Sequence, residues 1–162
     1  MFSREQTKLI QKLARQCLEK GISLVTAESC TGGLLSSSLT QEAGSSKWFD
    51  RGFVTYSNNS KIDSLGVREE TLGNFGAVSQ EIANEMSTGA LKNSEANLGI
   101  SITGIAGPGG GSLAKPVGTV YFSIANQKKV ILEHKADFKG SRETIRKESV
   151  LFVLNKLLNL TL

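Results

Sequence analysis

The spacing of hydrophobic and polar residues predicts that helices and strands alternate along most of this chain. An apolar stripe with helical spacing predicts an amphipathic first helix over residues 3–20. The stripe consists of Leu9, Ile10, Leu13, Cys17 and Leu18. A capping box led by Ser3 marks the start of this helix. Gly21 marks its end, because glycine suits the left-handed conformation that often follows a last helical turn.

Short apolar and β-branched runs predict five strands, and further helical patterns lie between them. The strands cover residues 22–26, 53–56, 98–103, 117–124 and 130–138. The helices cover residues 31–42, 60–65, 79–91 and 141–160. The early alternation favours parallel pairing, whereas the short turn at residues 126–129 requires an antiparallel pair. We therefore expect an α/β fold for residues 1–162, one domain whose mixed, mostly parallel sheet of about five strands carries helices on both faces.

The composition narrows the class of protein. With 162 residues, 39% hydrophobic and 21% charged, the chain has the size and composition of a soluble globular domain. No apolar run approaches the ~20 residues of a membrane helix, and the charged N-terminus lacks a signal-peptide core, so we expect a cytoplasmic protein without membrane partners. The net charge of +4 is scattered, which is typical of a solvated surface, so we expect no nucleic-acid partner.

The few cysteines and histidines argue against a metal site or a disulfide framework. The chain has two cysteines, Cys17 and Cys30, and one histidine, His134, without zinc-binding spacing. It has neither a P-loop nor a dinucleotide-binding glycine pattern, so we expect no ATP, GTP or NAD bound in those ways. We therefore predict no metal and no cofactor.

One turn concentrates residues suited to nucleophilic chemistry. Ser29, Cys30 and Thr31 follow the first predicted strand, and Gly32 and Gly33 come directly after them. The glycines let the backbone bend, and unpaired N–H groups at a helix start suit an anion or a developing oxyanion. A nucleophile beside such donors is what acyl transfer requires. The alternative is that this turn simply caps a helix.

Three further polar or glycine-rich segments follow predicted strands or start a helix. They are residues 55–58 with Lys61, residues 103–111, and residues 140–142. In open α/β sheets, ligands bind outside the carboxyl ends of the strands. If the first three strands are parallel, the Ser29 turn, residues 55–58 with Lys61, and residues 103–111 would therefore meet at one crevice. Thr103 and Gly104 are candidates for binding a ligand there. A glycine-rich loop outside a known phosphate-binding pattern is also compatible with no ligand at all.

The choice of nucleophile depends on which base is available. Cys30 is intrinsically the better nucleophile, but catalytic cysteine and serine are usually paired with histidine, and His134 lies within the predicted fifth strand. A Ser–Lys pair remains, in which Lys61 acts as the base for Ser29 once its pKa is lowered, and Tyr56 relays the proton or orients Lys61. The alternatives are that Lys61 is a solvated surface charge and that Tyr56 only packs at a strand end.

These segments together resemble the CinA carboxy-terminal domain family. The resemblance extends from about Ile10 to Leu158 and rests on several motifs in the order of that family. The motifs are residues 27–33, 44–49, 53–58 with Lys61, 76–79, 101–108 and 115–120.

The resemblance implies a three-layer α/β/α sandwich and a metal-free amidase activity. The implied reaction is hydrolysis of the carboxamide of nicotinamide mononucleotide, a small-molecule nucleotide, to nicotinic acid mononucleotide and ammonia. By the same resemblance, Ser29 is the nucleophile, Lys61 is its base and Tyr56 assists. Arg142 would then contact the substrate through its phosphate.

The combined hypothesis assigns oxyanion binding to the backbone N–H groups of residues 31–33. Substrate binding is expected at Cys30, Thr31, Gly32, Gly33, Thr103, Gly104 and Arg142. Two alternatives stay open, a nucleotide-binding module without catalysis and an interaction protein linked to competence or DNA damage. Many family members carry an additional N-terminal domain that resembles molybdopterin-binding proteins, and this chain resembles the stand-alone form. We expect a homodimer, because two-fold dimers are the commonest oligomers.

Overall fold

The computed structural model describes residues 4–160, whose strands form one five-stranded sheet in the order β2-β1-β3-β4-β5. The strands are β1 Leu24–Glu28, β2 Phe49–Val54, β3 Leu98–Gly104, β4 Thr119–Asn126 and β5 Val130–Asp137. The pairs β1–β2 and β1–β3 are parallel, whereas β4 is antiparallel to both β3 and β5. Four of the five strands therefore point the same way, which confirms the prediction of a mixed, mostly parallel sheet.

Six α-helices cover the two faces of this sheet within the described residues. They are α1 Arg4–Lys20, α2 Leu34–Leu39, α3 Asn58–Leu65, α4 Glu69–Phe75, α5 Gln80–Lys92 and α6 Arg142–Leu158. Helices α1, α2 and α6 pack on one face, and α3, α4 and α5 pack on the other. The fold is therefore the expected three-layer α/β/α sandwich.

Alternate residues of the central strands supply the two apolar cores. In β1, Leu24 faces the layer of α1, α2 and α6, whereas Val25 and Ala27 face the layer of α3 and α5. This alternation follows from the two-residue period of a β-strand. A strand with helices on both faces is buried along its whole length, as every residue of β1 is, including Glu28 at its end.

Several boundaries differ from the pattern-based prediction. β1 begins at Leu24 rather than at residue 22, because the N–H of Ile22 donates to the carbonyl of Cys17 at 2.8 Å and closes the turn after α1. β2 begins at Phe49, well before the predicted start at residue 53, because it is an edge strand whose exposed residues 50–52 hide the strand pattern. The predicted N-cap Ser3 lies outside the described residues.

Three helical features also differ from the prediction. Helix α2 covers Leu34–Leu39 rather than residues 31–42, because Gly32 and Gly33 have φ angles of 57° and 92°, which are outside the helical region. Helix α4 and a 3-10 turn at Ser45–Lys47 were not predicted, since both are short. Within residues 4–160, no helix has the length and apolar character that crossing a membrane requires.

Candidate active site

The loops that follow the three parallel strands meet at one cavity of about 280 Å³. Ser29 and Cys30 come from the end of β1, Tyr56 and Lys61 follow β2, and Gly104 ends β3. Residues 105–107, Gly109, Gly110 and Arg142 complete most of the lining. The expected convergence of these segments at the carboxyl edge of the sheet is therefore observed.

Ser29 and Lys61 are hydrogen-bonded partners in this cavity. The Lys61 Nζ atom lies 3.0 Å from the Ser29 Oγ atom and donates a second hydrogen bond to the Thr55 carbonyl at 2.8 Å. Lys61 is only 1% exposed, although it is a lysine on a short helix. The structure thus excludes the reading of Lys61 as a solvated surface charge.

Burial changes the proton affinity of this lysine. Desolvation lowers the pKa of Lys61 from 10.5 to about 8, and within residues 4–160 the acceptors of its ammonium group are a hydroxyl and a carbonyl rather than a carboxylate. A proton held this weakly is readily lost near neutral pH. Lys61 is therefore able to accept a proton from Ser29 as an amine and to return one as an ammonium group.

Local capping explains how Lys61 reaches the cavity. Ser57 is the N-cap of α3, and its hydroxyl accepts a hydrogen bond from the N–H of Ser60 at 3.1 Å. Helix α3 therefore starts four residues after the last residue of β2, and Lys61 is the fourth residue of the helix. Gly66, in a left-handed conformation with φ 68°, ends the helix.

The turn that carries Ser29 does not offer the oxyanion donors that the sequence predicted at its glycines. The N–H of Gly32 donates to the Ser29 carbonyl at 3.0 Å, and the N–H of Gly33 donates to Glu28 Oε2 at 3.1 Å. Neither glycine lines the cavity. That part of the prediction is therefore wrong, because both groups already have acceptors. The N–H groups of Cys30 and Thr31 donate to no oxygen atom among residues 4–160.

The side chains of Cys30 and Thr31 are buried beside the serine. Cys30 is 6% exposed, and burial raises the pKa of its thiol to about 12. A thiol with this pKa supplies almost no thiolate at neutral pH, which argues against Cys30 as the nucleophile. Thr31 is fully buried, and its hydroxyl has no hydrogen-bond partner within the described part of the chain.

Tyr56 and Arg142 form a bridge at the cavity mouth. The Arg142 guanidinium donates from Nη2 to the Tyr56 hydroxyl at 2.6 Å and from Nη1 to the Gly107 carbonyl at 2.8 Å. The Tyr56 hydroxyl therefore contacts Arg142 and not Lys61, whose ammonium group is oriented by the Thr55 carbonyl instead. Arg142 joins the loop after β2 to the glycine-rich loop after β3.

Thr103 and Gly104 lie at the back of the cavity, at the end of β3. The Thr103 hydroxyl is buried and donates to the Ala77 carbonyl at 2.8 Å, so its proton is already used within the protein. A Cβ atom on Gly104 would lie 2.7 Å from the Thr119 carbonyl oxygen, so the close pairing with β4 requires a glycine here. Both residues shape the cavity wall.

Sequence reasoning missed two residues that support the Ser29 turn from outside the cavity. Glu28 carries a fully buried carboxylate directly before Ser29, and Arg146 donates to the Thr31 carbonyl at 2.7 Å. Arg146 lies one helical turn after Arg142, so the four-residue spacing on a single helix face was a signal for it. The burial of Glu28 had no such signal, since it depends on tertiary contacts.

Neither the histidine nor a metal site contributes to this cavity in the described part of the chain. The ring of His134 stacks on Phe152 at 4.6 Å between centroids, and this histidine does not line the cavity. Among residues 4–160, no group of three His, Cys, Asp or Glu side chains is arranged to hold a metal ion. A Ser–Lys pair in a cavity at the strand ends of an α/β/α sandwich is thus the defining feature of this protein.

The comparison with known proteins identifies the family. The family model described as the CinA C-terminal domain matches residues 6–161, and the chain belongs to this family. It is 45% identical to the nicotinamide-nucleotide amidohydrolase PncC of Escherichia coli K12, over 97% of this chain and 95% of that protein. It is 50% identical to the protein of the same name from Enterobacter agglomerans, over 86% of this chain and 85% of that protein.

A solved structure agrees with this assignment. The crystal structure of the competence/damage inducible protein CihA from Agrobacterium tumefaciens superposes with a TM-score of 0.94 at 44% sequence identity. The superposition covers 99% of this chain and 99% of that one. The two proteins therefore share the whole fold described above.

Proposed function

We propose that this protein is a nicotinamide-nucleotide amidohydrolase that converts nicotinamide mononucleotide to nicotinic acid mononucleotide and ammonia. The observation that carries the proposal is the 3.0 Å contact between the buried Lys61 Nζ and the Ser29 Oγ in an open cavity. The high similarity to PncC proteins along nearly the whole chain supports the choice of an amide substrate.

The reaction starts with activation of the serine. The Lys61 amine takes the hydroxyl proton of Ser29 while the Ser29 Oγ atom attacks the carboxamide carbon. The tetrahedral intermediate collapses when the resulting Lys61 ammonium protonates the leaving amine, which departs as ammonia. Water, deprotonated by the same lysine, then attacks the acyl carbon; the bond to Ser29 Oγ breaks, the Lys61 ammonium returns its proton to Oγ, and the product leaves as a carboxylate. The lowered pKa of Lys61 supports both directions of proton transfer near neutral pH.

The negative charge on the intermediate requires donors near Ser29. The N–H groups of Cys30 and Thr31 take this role in the proposal, since neither donates to an oxygen atom within residues 4–160. A donor of this kind typically contributes about 2.7–4 kcal/mol to transition-state stabilisation. This assignment replaces the donors first expected at Gly32 and Gly33.

Arg142 is the proposed contact for the phosphate of the nucleotide. Its guanidinium is exposed at the cavity mouth, and its planar fork is suited to bidentate binding of phosphate oxygens. Binding would exchange the hydrogen bond to the exposed Tyr56 hydroxyl for one to phosphate. Tyr56 therefore assists by holding Arg142 at the cavity mouth in the absence of substrate.

Ammonia release from nicotinamide mononucleotide tests the proposal directly. The wild type should release ammonia, and Ser29→Ala should lower kcat by at least about 1,000-fold without loss of the fold, because the nucleophile is gone. Near-normal turnover by Ser29→Ala would exclude it as the nucleophile. If the wild type binds the nucleotide but leaves it unchanged, the protein is a binding module instead. The single-domain organisation, the homodimer and the cytoplasmic location stay predictions.

A further inference from the structure

We infer that Glu28 is a positioning residue, whose buried carboxylate holds the Ser29 turn in the conformation that presents the hydroxyl to Lys61. The inference rests on the proposed nucleophilic role of Ser29 and goes beyond it by assigning a task to a side chain that does not line the cavity. Glu28 is 0% exposed, so its charge contacts neither solvent nor a ligand.

The carboxylate of Glu28 is surrounded by hydrogen-bond donors. It accepts from the N–H groups of Gly33 at 3.1 Å, Leu35 at 3.0 Å and Ser36 at 2.8 Å, and from the Ser36 hydroxyl at 2.6 Å. The N-cap residue of α2 is Gly33, which provides no side-chain acceptor. Glu28 therefore supplies the acceptor that the first turn of α2 would otherwise lack.

These bonds close the turn around Ser29 into a ring. The main chain leaves the sheet at Glu28, passes through Ser29 and returns at Gly33 to the carboxylate of the same glutamate. The start of the ring is anchored, since the Glu28 carbonyl accepts from the N–H of Thr55 and the N–H of Ser29 donates to the Ile102 carbonyl, both at 2.9 Å. The carboxylate anchors the other end.

A second hydroxyl extends the hydrogen-bond network around the carboxylate, and a glycine on the neighbouring strand leaves room for it. The Ser36 hydroxyl also lies 2.7 Å from the Thr26 hydroxyl, so the network extends back into β1. A Cβ atom on Gly52 of the neighbouring strand would lie 2.2 Å from Ser36 Oγ and 2.9 Å from Thr26 Oγ1. Only a glycine at position 52 leaves room for this network. None of Thr26, Ser36 and Gly52 lines the cavity.

The consequence for reactivity follows from geometry. Misplacement of a reacting group by about 1 Å can lower a rate on the order of 100-fold, even when the substrate still binds. Glu28→Gln keeps the shape of the side chain but directs an NH₂ group at N–H donors. We therefore expect Glu28→Gln to lower kcat by about 10–100-fold with KM changed less than about threefold.

A matched substitution controls for simple loss of stability. The carboxylate of Glu85 also accepts four hydrogen bonds, three from Arg68 and one from Thr71. None of these residues lines the cavity. Glu85→Gln should therefore lower the melting temperature while kcat stays within twofold of the wild type.

A covalent probe separates this inference from the identity of the substrate. A fluorophosphonate reacts with an activated serine by forming a P–O bond to Ser29 as the P–F bond breaks, with fluoride leaving and the proton passing to Lys61. Intact mass measures the labelling rate for the wild type, Glu28→Gln, Glu85→Gln and Ser36→Ala. Steady-state kinetics with nicotinamide mononucleotide give kcat and KM for the same proteins.

The expected result is slow labelling and low kcat for Glu28→Gln, with both values near wild type for Glu85→Gln. If Glu28→Gln does not fold, Ser36→Ala decides, since it removes one of the four donors and should slow labelling about three- to tenfold. Labelling of the tested variant within twofold of wild type, or no labelling of wild-type Ser29, would overturn the inference. If the wild type is labelled but releases no ammonia, the proposed substrate fails, and the labelling rates still decide the role of Glu28.

Discussion

Replacement of Lys61 by methionine should make this protein inactive and, at neutral pH, more stable. The ammonium group of Lys61 is buried, and its two hydrogen-bond acceptors are a hydroxyl and a carbonyl rather than a carboxylate. Burial therefore penalises the charged form, which is the cause of its low pKa. Methionine has similar length and removes the charge, so the penalty disappears together with the base.

The size of this effect follows from the two pKa values. In the folded protein the pKa of Lys61 is about 8, compared with 10.5 for a free lysine side chain. Between these values the unfolded chain binds more protons than the folded one, so wild-type stability rises with pH. The penalty on the folded wild type is about 3 kcal/mol at pH 7 and falls below about 1 kcal/mol at pH 10.

Urea unfolding at pH 7, 8, 9 and 10 measures this difference. Trp48 is the single tryptophan of the chain and is 1% exposed, so its fluorescence reports unfolding. The free energy of unfolding of Lys61→Met minus that of the wild type should decrease by about 2.5 kcal/mol from pH 7 to pH 10. Groups that titrate equally in both proteins cancel in this difference.

An exposed lysine provides the control. Lys12→Met removes a charge on the solvent side of α1, and its difference from the wild type should be almost independent of pH. A difference for Lys61→Met that stays constant from pH 7 to pH 10 would refute the reasoning. It would mean that Lys61 holds its proton as tightly in the folded protein as in the unfolded chain.

Three further predictions concern activity. The kcat/KM for nicotinamide mononucleotide should rise with pH to a plateau above about 8, because only the neutral amine of Lys61 accepts the proton, and a pH-rate profile without this rise would contradict that role. Cys30→Ala should keep kcat within about fivefold, because a thiol with a pKa of about 12 is not needed as nucleophile, and complete loss of ammonia release would favour the cysteine. Arg142→Lys should raise KM for the nucleotide about tenfold with little change for the nucleoside that lacks the phosphate, and equal effects on both would exclude the phosphate contact.

The position of the site could be predicted from the sequence because it depends on strand order. Alternating strands and helices at the start of the chain favour parallel pairing, and parallel strands bring their following loops to one edge. The cavity is lined by three residues that lie far apart in sequence, Ser29, Lys61 and Thr103. Each of them lies at or shortly after the carboxyl end of one of the parallel strands. Loop convergence needs only topology, so modest errors in strand boundaries do not affect it.

The edge strand shows where local pattern fails. β2 has exposed or half-buried residues throughout, and its polar residues Asp50 and Arg51 resemble a loop. Its parallel pairing with β1 holds it in the sheet, and that interaction cannot be seen in a hydropathy pattern. The same limit explains the missed α4, which buries only Thr71 among its residues and packs against α5.

The wrong assignment of oxyanion donors has a different cause. Glycines before a helix suggested free N–H groups, but the N–H of Gly33 is taken by the side chain of Glu28, five residues earlier. Whether a long side chain turns back onto its own turn or points to solvent depends on the space around it. Here the absence of a side chain at Gly52 on the neighbouring strand leaves room for Ser36, whose hydroxyl and N–H donate to the Glu28 carboxylate.

The Glu28 carboxylate and the Lys61 ammonium are both buried beside Ser29, but they differ in how their hydrogen-bond partners compensate them. This contrast is the strongest physical argument for a catalytic site. The Glu28 carboxylate accepts four hydrogen bonds, which suits the anchoring role that we infer for it. The Lys61 ammonium has two neutral acceptors, so its proton is easily removed. Burying charge is costly, and a small domain gains no stability from an uncompensated lysine. A fixed turn behind the serine and a labile proton in front of it are what the proposed acyl transfer by Ser29 requires.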